Sequence, residues 1–207
     1  MAERAVSRAP VPGTVRTGGA RQRARRTAPP AGRGGLSAAP PRTPHHRTSD
    51  RRTATVPIEV GAAAPDFQLS DQHGRSVRLS GFRGAKNVVL LFFPFAFTGV
   101  CTGELRAVQA ELPAFQNSDV QLLAVSCDSM HALRVFSDAE ALDFPLLSDF
   151  WPHGAASRAY GVFAEDKGCA LRGTFVVDKR GTVRWTIVNG LPEARDLHEY
   201  AKALEAL

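Results

Sequence analysis

Two periodicities of apolar residues predict the strands and helices of the chain from residue 67 onward. From Phe67 to Leu79, apolar and polar residues alternate around His73-Gly74, and this pattern predicts a β-hairpin. Residues 88–93 are a continuous apolar run, and residues 121–126, apolar between Gln121 and Ser126, predict a second buried strand. Such runs are typical of strands that are buried on both faces, as in a sheet that helices cover on each side.

Apolar residues spaced three to four positions apart predict the helices. The first helix starts near Gly99 and ends before Pro113, and the second is capped by Asp128 or Ser129. A short helix is predicted over residues 153–160, and an amphipathic helix ends the chain. The apolar faces consist of Leu105, Val108 and Leu112 in the first helix, Met130, Leu133 and Phe136 in the second, and Leu197, Tyr200, Ala201, Leu204 and Leu207 in the last.

The order of these elements predicts the fold class. Residues 144–147 form a short extended run, and residues 174–177 and 183–188 flank a turn at Gly181, which predicts a second hairpin. Alternating strands and helices require parallel central strands covered by helices, whereas hairpins add antiparallel partners. We therefore predict an α/β protein of thioredoxin-like fold, with an N-terminal β-hairpin and a central mixed sheet flanked by helices.

Residues 1–55 differ in composition from the rest of the chain. They contain no aromatic residue, many prolines and glycines, twelve arginines and two acidic residues (Glu3 and Asp50), which give a net charge of +10. Since the whole chain carries +6, residues 56–207 carry −4. A segment without apolar surface to bury does not offset its chain entropy. We predict a disordered basic arm over residues 1–55 and one domain over residues 56–207.

Several interpretations of the arm stay open. No apolar stretch follows Arg25-Arg26 or Arg51-Arg52, which argues against a twin-arginine export signal. An organellar transit peptide or a nucleic-acid-binding arm would fit the arginine content, but the many prolines and the missing amphipathic period disfavour both. A mis-assigned start is an equal alternative, with translation beginning near Val56 at a non-AUG codon.

The cysteines and histidines indicate the redox compartment and argue against a metal site. Cys101, Cys127 and Cys169, in a chain without an export signal, favour reduced thiols in the cytoplasm over a disulfide scaffold. No CxxC pair is present, and the six histidines lack metal-ligand spacing, so we expect neither a metal nor a cofactor. The longest apolar run stops at Pro94, well short of the roughly 18 residues of a membrane helix. No membrane partner is expected.

Cys101 occupies a position in which a cysteine becomes reactive. It falls in the first turn of the helix that starts near Gly99, at the carboxyl end of a buried strand, where α/β sheets usually carry their sites. Free backbone N–H groups and the positive helix end favour the thiolate over the thiol. Thr98 can place a hydroxyl beside the sulfur, and Pro94 ends the strand and shields one side of the loop. Glu104 can hydrogen-bond the helix start or the active-site loop, and its interpretation as a capping residue is favoured.

These residues carry a resemblance to a known family. The spacing Pro94-x-x-x-Thr98-x-x-Cys101 matches the peroxiredoxin signature, and the similarity extends over essentially the whole predicted domain. Beyond the signature, the chain most resembles the one-cysteine, AhpE-type peroxiredoxins of actinobacteria. The segments that carry this similarity are residues 60–67, 147–154, 160–162 and 172–178. The arm over residues 1–55 resembles nothing in the family.

The resemblance implies a thiol-dependent peroxidase that reduces hydrogen peroxide, organic hydroperoxides and peroxynitrite. Cys101 would be the peroxidatic nucleophile, which attacks a peroxide oxygen and becomes a sulfenic acid. Thr98 and Pro94 would belong to the catalytic loop, and Arg172 resembles the active-site arginine of the family. A guanidinium there can stabilise a thiolate and donate hydrogen bonds to the peroxide. The implied peroxide-binding residues are Thr98, Val100, Cys101 and Arg172.

The second half of the cycle has two possible routes. The favoured one-cysteine route uses a low-molecular-weight thiol such as mycothiol, or a thioredoxin- or mycoredoxin-like protein, to reduce Cys101. Cys169 is the candidate resolving cysteine, because its polar surroundings predict an exposed loop, whereas Cys127 is expected to be inert core. The family pairs through loops such as the one that contains Phe150 and Trp151, so a homodimer is expected.

Two other functional classes compete with this interpretation. A thiol–disulfide oxidoreductase could share the fold, but that chemistry normally uses CxxC, and here Thr102, Gly103 and Glu104 follow Cys101. A redox-sensing module directed by the +10 arm is the other class, since charge alone can hold a protein on a phosphate backbone. Nucleic acid is nevertheless not favoured as a partner.

Overall fold

The structure, a computed structural model, describes residues 56–193 and 195–205. The arm predicted over residues 1–55 lies outside the described residues, as does Leu207 of the last predicted helix. Within the described residues, no helix is long and apolar enough to cross a membrane.

A seven-stranded mixed sheet forms the centre of the domain, in the order β2-β1-β5-β4-β3-β8-β9. Its strands are β1 (Gln68–Asp71), β2 (Ser76–Arg78), β3 (Asn87–Phe92), β4 (Val120–Ser126), β5 (Leu146–Ser148), β8 (Arg172–Val177) and β9 (Val183–Asn189). Strand β3 pairs in parallel with β4, and β4 with β5, whereas the hairpins β1-β2 and β8-β9 join antiparallel. The predicted N-terminal hairpin and mixed sheet are confirmed.

Within the described residues, five α-helices, a short 3-10 helix (Leu79–Phe82) and a small hairpin accompany the sheet. The helices are α1 (Gly99–Ala110), α2 (Leu112–Phe115), α3 (Met130–Glu140), α4 (Ala155–Ala159) and α5 (Leu197–Glu205). The small hairpin joins β6 (Phe163–Ala164) to β7 (Cys169–Ala170). Ser129 caps α3 by accepting a hydrogen bond from the backbone N–H of Ala132, and Pro113 stands in the first turn of α2.

The two faces of β3 pack into two separate apolar cores, which explains its continuous apolar run. Val89 and Leu91 face one core, together with Leu105 of α1, Phe136 of α3 and Tyr200 of α5. The alternate side chains of β3 face the second core, which includes α4. Because β3 is central and covered on both faces, its carboxyl end is a rigid support for the loop that leads to α1.

Asp71 organises the turn of the first hairpin. Its side chain, only 2% exposed, accepts hydrogen bonds from the backbone N–H groups of His73 and Arg75 and from the Arg75 guanidinium. Burial alone would raise the pKa of this carboxyl, but the hydrogen bonds from Arg75 and His73 outweigh burial and hold the pKa below its ordinary value of 3.8. The ionised form of Asp71 therefore stabilises the fold.

We expect Asp71→Ala to lower the free energy of unfolding at neutral pH by about 2 kcal/mol, because it removes these charge-assisted hydrogen bonds. A lowered native pKa contributes stability above the unfolded-state value, and this contribution is lost as the pH falls through the folded-state value. The difference between wild type and variant should thus be constant above about pH 5 and shrink below it. Urea unfolding across a pH series measures the difference, with the exposed Asp138→Ala as control; a difference that does not change with pH would contradict the assignment.

Candidate active site

Cys101 lies where the sequence predicts it, in the first turn of the helix after the central strand. Strand β3 leads through a loop to Thr98, the N-cap residue of α1, and Cys101 is the third residue of that helix. The first intrahelical hydrogen bond runs from the N–H of Thr102 to the carbonyl of Thr98 at 2.9 Å. The N–H groups of Val100 and Cys101 therefore have no acceptor within the helix. The Cys101 side chain is fully buried.

Arg172 reaches Cys101 because β8 runs antiparallel beside β3. Leu91 pairs with Thr174, so the start of β8 lies at the end of β3 from which α1 departs. The Nη1 atom of Arg172 donates a hydrogen bond to the Cys101 sulfur at 3.4 Å, and its Nε donates to the carbonyl of Leu191 at 2.9 Å. The guanidinium is buried. The structure thus brings together the cysteine and the arginine that the sequence singles out.

Glu104 is the second anchor of Arg172. It follows Cys101 by one helical turn, and its Oε2 accepts hydrogen bonds from Nη1 of Arg172 at 2.5 Å and from Nη1 of Arg195 at 2.9 Å. Its Oε1 accepts from the backbone N–H of Arg195 at 2.9 Å. The interpretation of Glu104 as a capping residue is therefore wrong, because its carboxylate is buried against two arginines rather than turned toward the helix start.

Arg195 is a buried residue of this site that the sequence patterns do not indicate. It precedes α5, and its fully buried guanidinium also donates to Oγ1 of Thr174 at 3.1 Å and to the carbonyl of Phe92. Burial lowers the pKa of Arg195, and the Glu104 carboxylate opposes this shift. No motif or periodicity marks a single arginine ahead of a helix, so only the folded chain identifies it.

The buried charges of this cluster do not sum to zero. Arg172 and Arg195 supply two positive charges and Glu104 one negative charge, so the cluster has a net charge of +1. A buried charge without a counterion is costly. The sulfur of Cys101 lies in contact with Arg172, next to this net positive charge.

The remaining predicted site residues lie between the end of β3 and Cys101. Pro94 is buried at the end of the strand, and Val100 is exposed beside Cys101 in the sequence. Thr98 is exposed, and its hydroxyl donates to the carbonyl of Phe95 at 3.1 Å without capping α1. Among the described residues, no group of three or more histidine, cysteine or acidic side chains is arranged to hold a metal ion.

The other two cysteines are buried thiols. Burial, with the nearby charge of Asp149, raises the pKa of Cys127 to about 12. The prediction that Cys169 lies in an exposed loop is wrong, because the residue forms part of β7 and its side chain has no exposed surface. Burial, and then the charge of Asp166, raise the pKa of Cys169 as well. Both residues therefore stay protonated near neutral pH.

We expect Glu104→Ala to lower the free energy of unfolding by about 3–5 kcal/mol, because two buried guanidinium groups lose their counterion. Urea unfolding at neutral pH measures the loss. The matched control is Glu165→Ala, since Glu165 pairs with Arg158 on the surface, where an ion pair contributes little to stability. Equal losses in the two variants would contradict the central role of the Glu104 carboxylate.

Known proteins resemble this chain in both sequence and structure. A profile of the AhpC/TSA family matches residues 60–186. Alkyl hydroperoxide reductase E of Mycobacterium tuberculosis is 51% identical over 150 residues, which cover 72% of this chain and 98% of that protein. The chloroplastic 2-Cys peroxiredoxin BAS1 of Arabidopsis thaliana is 36% identical over 158 residues, which cover 72% of this chain and 59% of that protein.

Solved structures agree with these relatives. The reduced 2-Cys peroxiredoxin of Plasmodium vivax superimposes with a TM-score of 0.66 at 31% identity, covering 72% of this chain and 82% of that chain. Peroxidoxin BcpB from Mycobacterium tuberculosis gives a TM-score of 0.65 at 29% identity, with 72% and 98% covered. The thioredoxin-like fold is thereby confirmed. Fold, profile and relatives together show that the chain belongs to the AhpC/TSA family, as an AhpE-like peroxiredoxin, a thiol-dependent enzyme that reduces peroxides.

Proposed function

We propose that Cys101 is the peroxidatic nucleophile of this enzyme and that Arg172, Thr98 and Pro94 complete its catalytic site. The observation that carries this proposal is the 3.4 Å contact between Arg172 Nη1 and the Cys101 sulfur. The contact belongs to a buried cluster whose other charges sum to +1, so a thiolate is the state of Cys101 that balances the site. Neither Cys127 nor Cys169 has a comparable cationic neighbour in contact with its sulfur among the described residues.

The chemistry follows from the groups around the sulfur. The thiolate attacks the nearer peroxide oxygen, the S–O bond forms and the O–O bond breaks, and the departing oxygen takes up a proton. The products are a sulfenic acid on Cys101 and water from hydrogen peroxide, an alcohol from an organic hydroperoxide, or nitrite, which needs no proton, from peroxynitrite. The guanidinium of Arg172 and the free N–H groups of Val100 and Cys101 donate hydrogen bonds to the departing oxygen, where negative charge develops. The hydroxyl of Thr98 is the remaining polar group of the peroxide site.

Glu104 and Arg195 act through Arg172 as positioning residues. Arg172 would otherwise rotate about its side-chain bonds, but the Glu104 carboxylate and the Leu191 carbonyl fix its guanidinium from two sides. A fixed donor is already oriented toward the charge that develops during the reaction, so no reorganisation is needed when the O–O bond breaks.

The substrate class is hydrogen peroxide, organic hydroperoxides and peroxynitrite.

An external reductant is the better candidate for the second half of the cycle. A low-molecular-weight thiol, or a thioredoxin- or mycoredoxin-like protein, condenses with the Cys101 sulfenic acid to a mixed disulfide and water, and a second thiol then releases Cys101. Cys169 is the weaker alternative as resolving cysteine, because it is buried and its raised pKa disfavours the thiolate that would attack.

Three free cysteines fit a reducing compartment, so a cytoplasmic location is proposed.

A homodimer is part of this proposal. The loop after β5 exposes two large aromatic side chains, Phe150 at 52% and Trp151 at 81%. Adjacent exposed aromatic groups of this size are characteristic of protein interfaces. A second copy of the chain, covering this loop, is the partner that the resemblance to the family implies.

We expect Cys101→Ser to abolish peroxidase activity, because a serine hydroxyl is not ionised near neutral pH and does not form a sulfenic acid. Cys127→Ser should keep most of the wild-type rate, since Cys127 is a buried thiol whose pKa is about 12. Consumption of hydrogen peroxide with dithiothreitol as reductant measures both variants. Full turnover by the Cys101→Ser protein would overturn the proposed mechanism.

Intact-mass analysis after one equivalent of hydrogen peroxide distinguishes the two reduction routes. We expect the mass of one added oxygen, trapped by dimedone on Cys101, because the one-cysteine route leaves a sulfenic acid until an external thiol arrives. Cys169→Ser should give the same product. A loss of two hydrogens that maps to a Cys101–Cys169 disulfide would instead establish internal resolution.

A further inference from the structure

The catalytic loop, residues 94–98, contains a strained residue. Phe97 has a φ angle of 62°, in the left-handed region that residues other than glycine, asparagine and aspartate rarely adopt. Such a conformation persists only where the surrounding structure holds it. Phe97 directly precedes Thr98, the N-cap of α1. A return of Phe97 to a negative φ would therefore turn Thr98 and the start of α1 relative to Arg172.

Two of the contacts that hold this loop come from the segment that follows β4. The backbone N–H of Ala96 donates a hydrogen bond to Oδ2 of Asp128 at 2.9 Å. The Phe97 ring packs edge-on against Phe136 of α3, with the ring centroids 5.0 Å apart. The Phe97 side chain is nevertheless 59% exposed, so packing restrains only part of it. The hydrogen bond to Asp128 is the directional restraint.

Asp128 is itself fixed to the central sheet. Its Oδ2 also accepts a hydrogen bond from the hydroxyl of Ser126 in β4 at 2.9 Å, and its backbone carbonyl accepts from the hydroxyl of Ser148 in β5 at 2.7 Å. A backbone N–H to carboxylate bond is charge-assisted and stronger than a bond between neutral groups. The carboxylate therefore connects the catalytic loop to β4, while the backbone of Asp128 is held to β5.

We propose that Asp128 is a positioning residue for the peroxidase reaction, which holds the strained catalytic loop in the geometry that aligns Thr98 and Cys101 with Arg172. This inference rests on the proposed role of Cys101 as nucleophile. Asp128 touches neither the sulfur nor the peroxide site in the contacts described above; it acts through the backbone of Ala96. Without its carboxylate, Phe97 is free to leave the left-handed region, and the fraction of molecules with an aligned site falls.

The test compares three variants in a stopped-flow measurement of Cys101 oxidation by hydrogen peroxide. Asp128→Ala removes the acceptor and should lower the second-order rate constant at least about tenfold, as expected for the loss of a hydrogen bond to a charged acceptor. Asp128→Asn keeps an acceptor oxygen for Ala96 and Ser126 and should stay within about threefold of wild type. Asp138→Ala, an exposed aspartate of α3, removes the same charge elsewhere and should match wild type.

The rescue by asparagine separates positioning from charge and from general stability. Equal rates for wild type and Asp128→Ala would overturn the inference, and so would an asparagine variant as slow as the alanine variant. If Asp128→Ala does not fold, Asp128→Glu replaces it, because the longer side chain keeps the charge but displaces the acceptor; a wild-type rate for the glutamate variant would likewise overturn the inference. If hydrogen peroxide oxidised a cysteine other than Cys101 in the wild-type protein, the proposed role of Cys101 as nucleophile would itself be wrong.

Discussion

The carboxylate of Glu104 is the interaction on which the site depends, because it joins three distant parts of the chain. It belongs to α1, and it binds the guanidinium of Arg172 at the start of β8 and both the guanidinium and the backbone N–H of Arg195 ahead of α5. Buried charges are tolerated only when each has a partner. The cluster therefore forms only when α1, β8 and the segment before α5 are all packed in their native positions.

The same cluster couples the stability of the domain to the reactivity of its cysteine. Two arginines and one carboxylate carry a net positive charge, and in the proposed mechanism a Cys101 thiolate balances it. Among the described residues, neither Cys127 nor Cys169 has an arginine or lysine in contact with its sulfur, and burial raises the pKa of both. All three cysteines are buried, so the proposed nucleophile differs from the other two thiols in its neighbours rather than in its exposure.

Elements with strong periodicity could be predicted from the sequence, and residues whose importance arises from distant contacts could not. Strands β3 and β4 and helices α1 and α3 carry long apolar patterns, and the local spacing around Cys101 is informative by itself. Arg195 binds Glu104 although the two residues are 91 positions apart in the sequence, and no local sequence pattern indicates this contact. Cys169 stands among polar residues that indicate a loop, but a two-residue strand has no period to detect, so its burial could not be predicted.

The pairing of β3 with β8 has a further consequence for the integrity of the enzyme. Leu91 lies opposite Thr174, and side chains alternate between the two faces of a sheet along each strand. A shift of β8 by a single residue would carry Arg172 to the opposite face, away from the sulfur. A chain with mispaired central strands could remain compact and rich in secondary structure yet lack the arginine contact altogether. With Arg172 in its proposed role, peroxide reduction depends on strand register, and turnover is then a more stringent criterion of correct assembly than compactness or helix content.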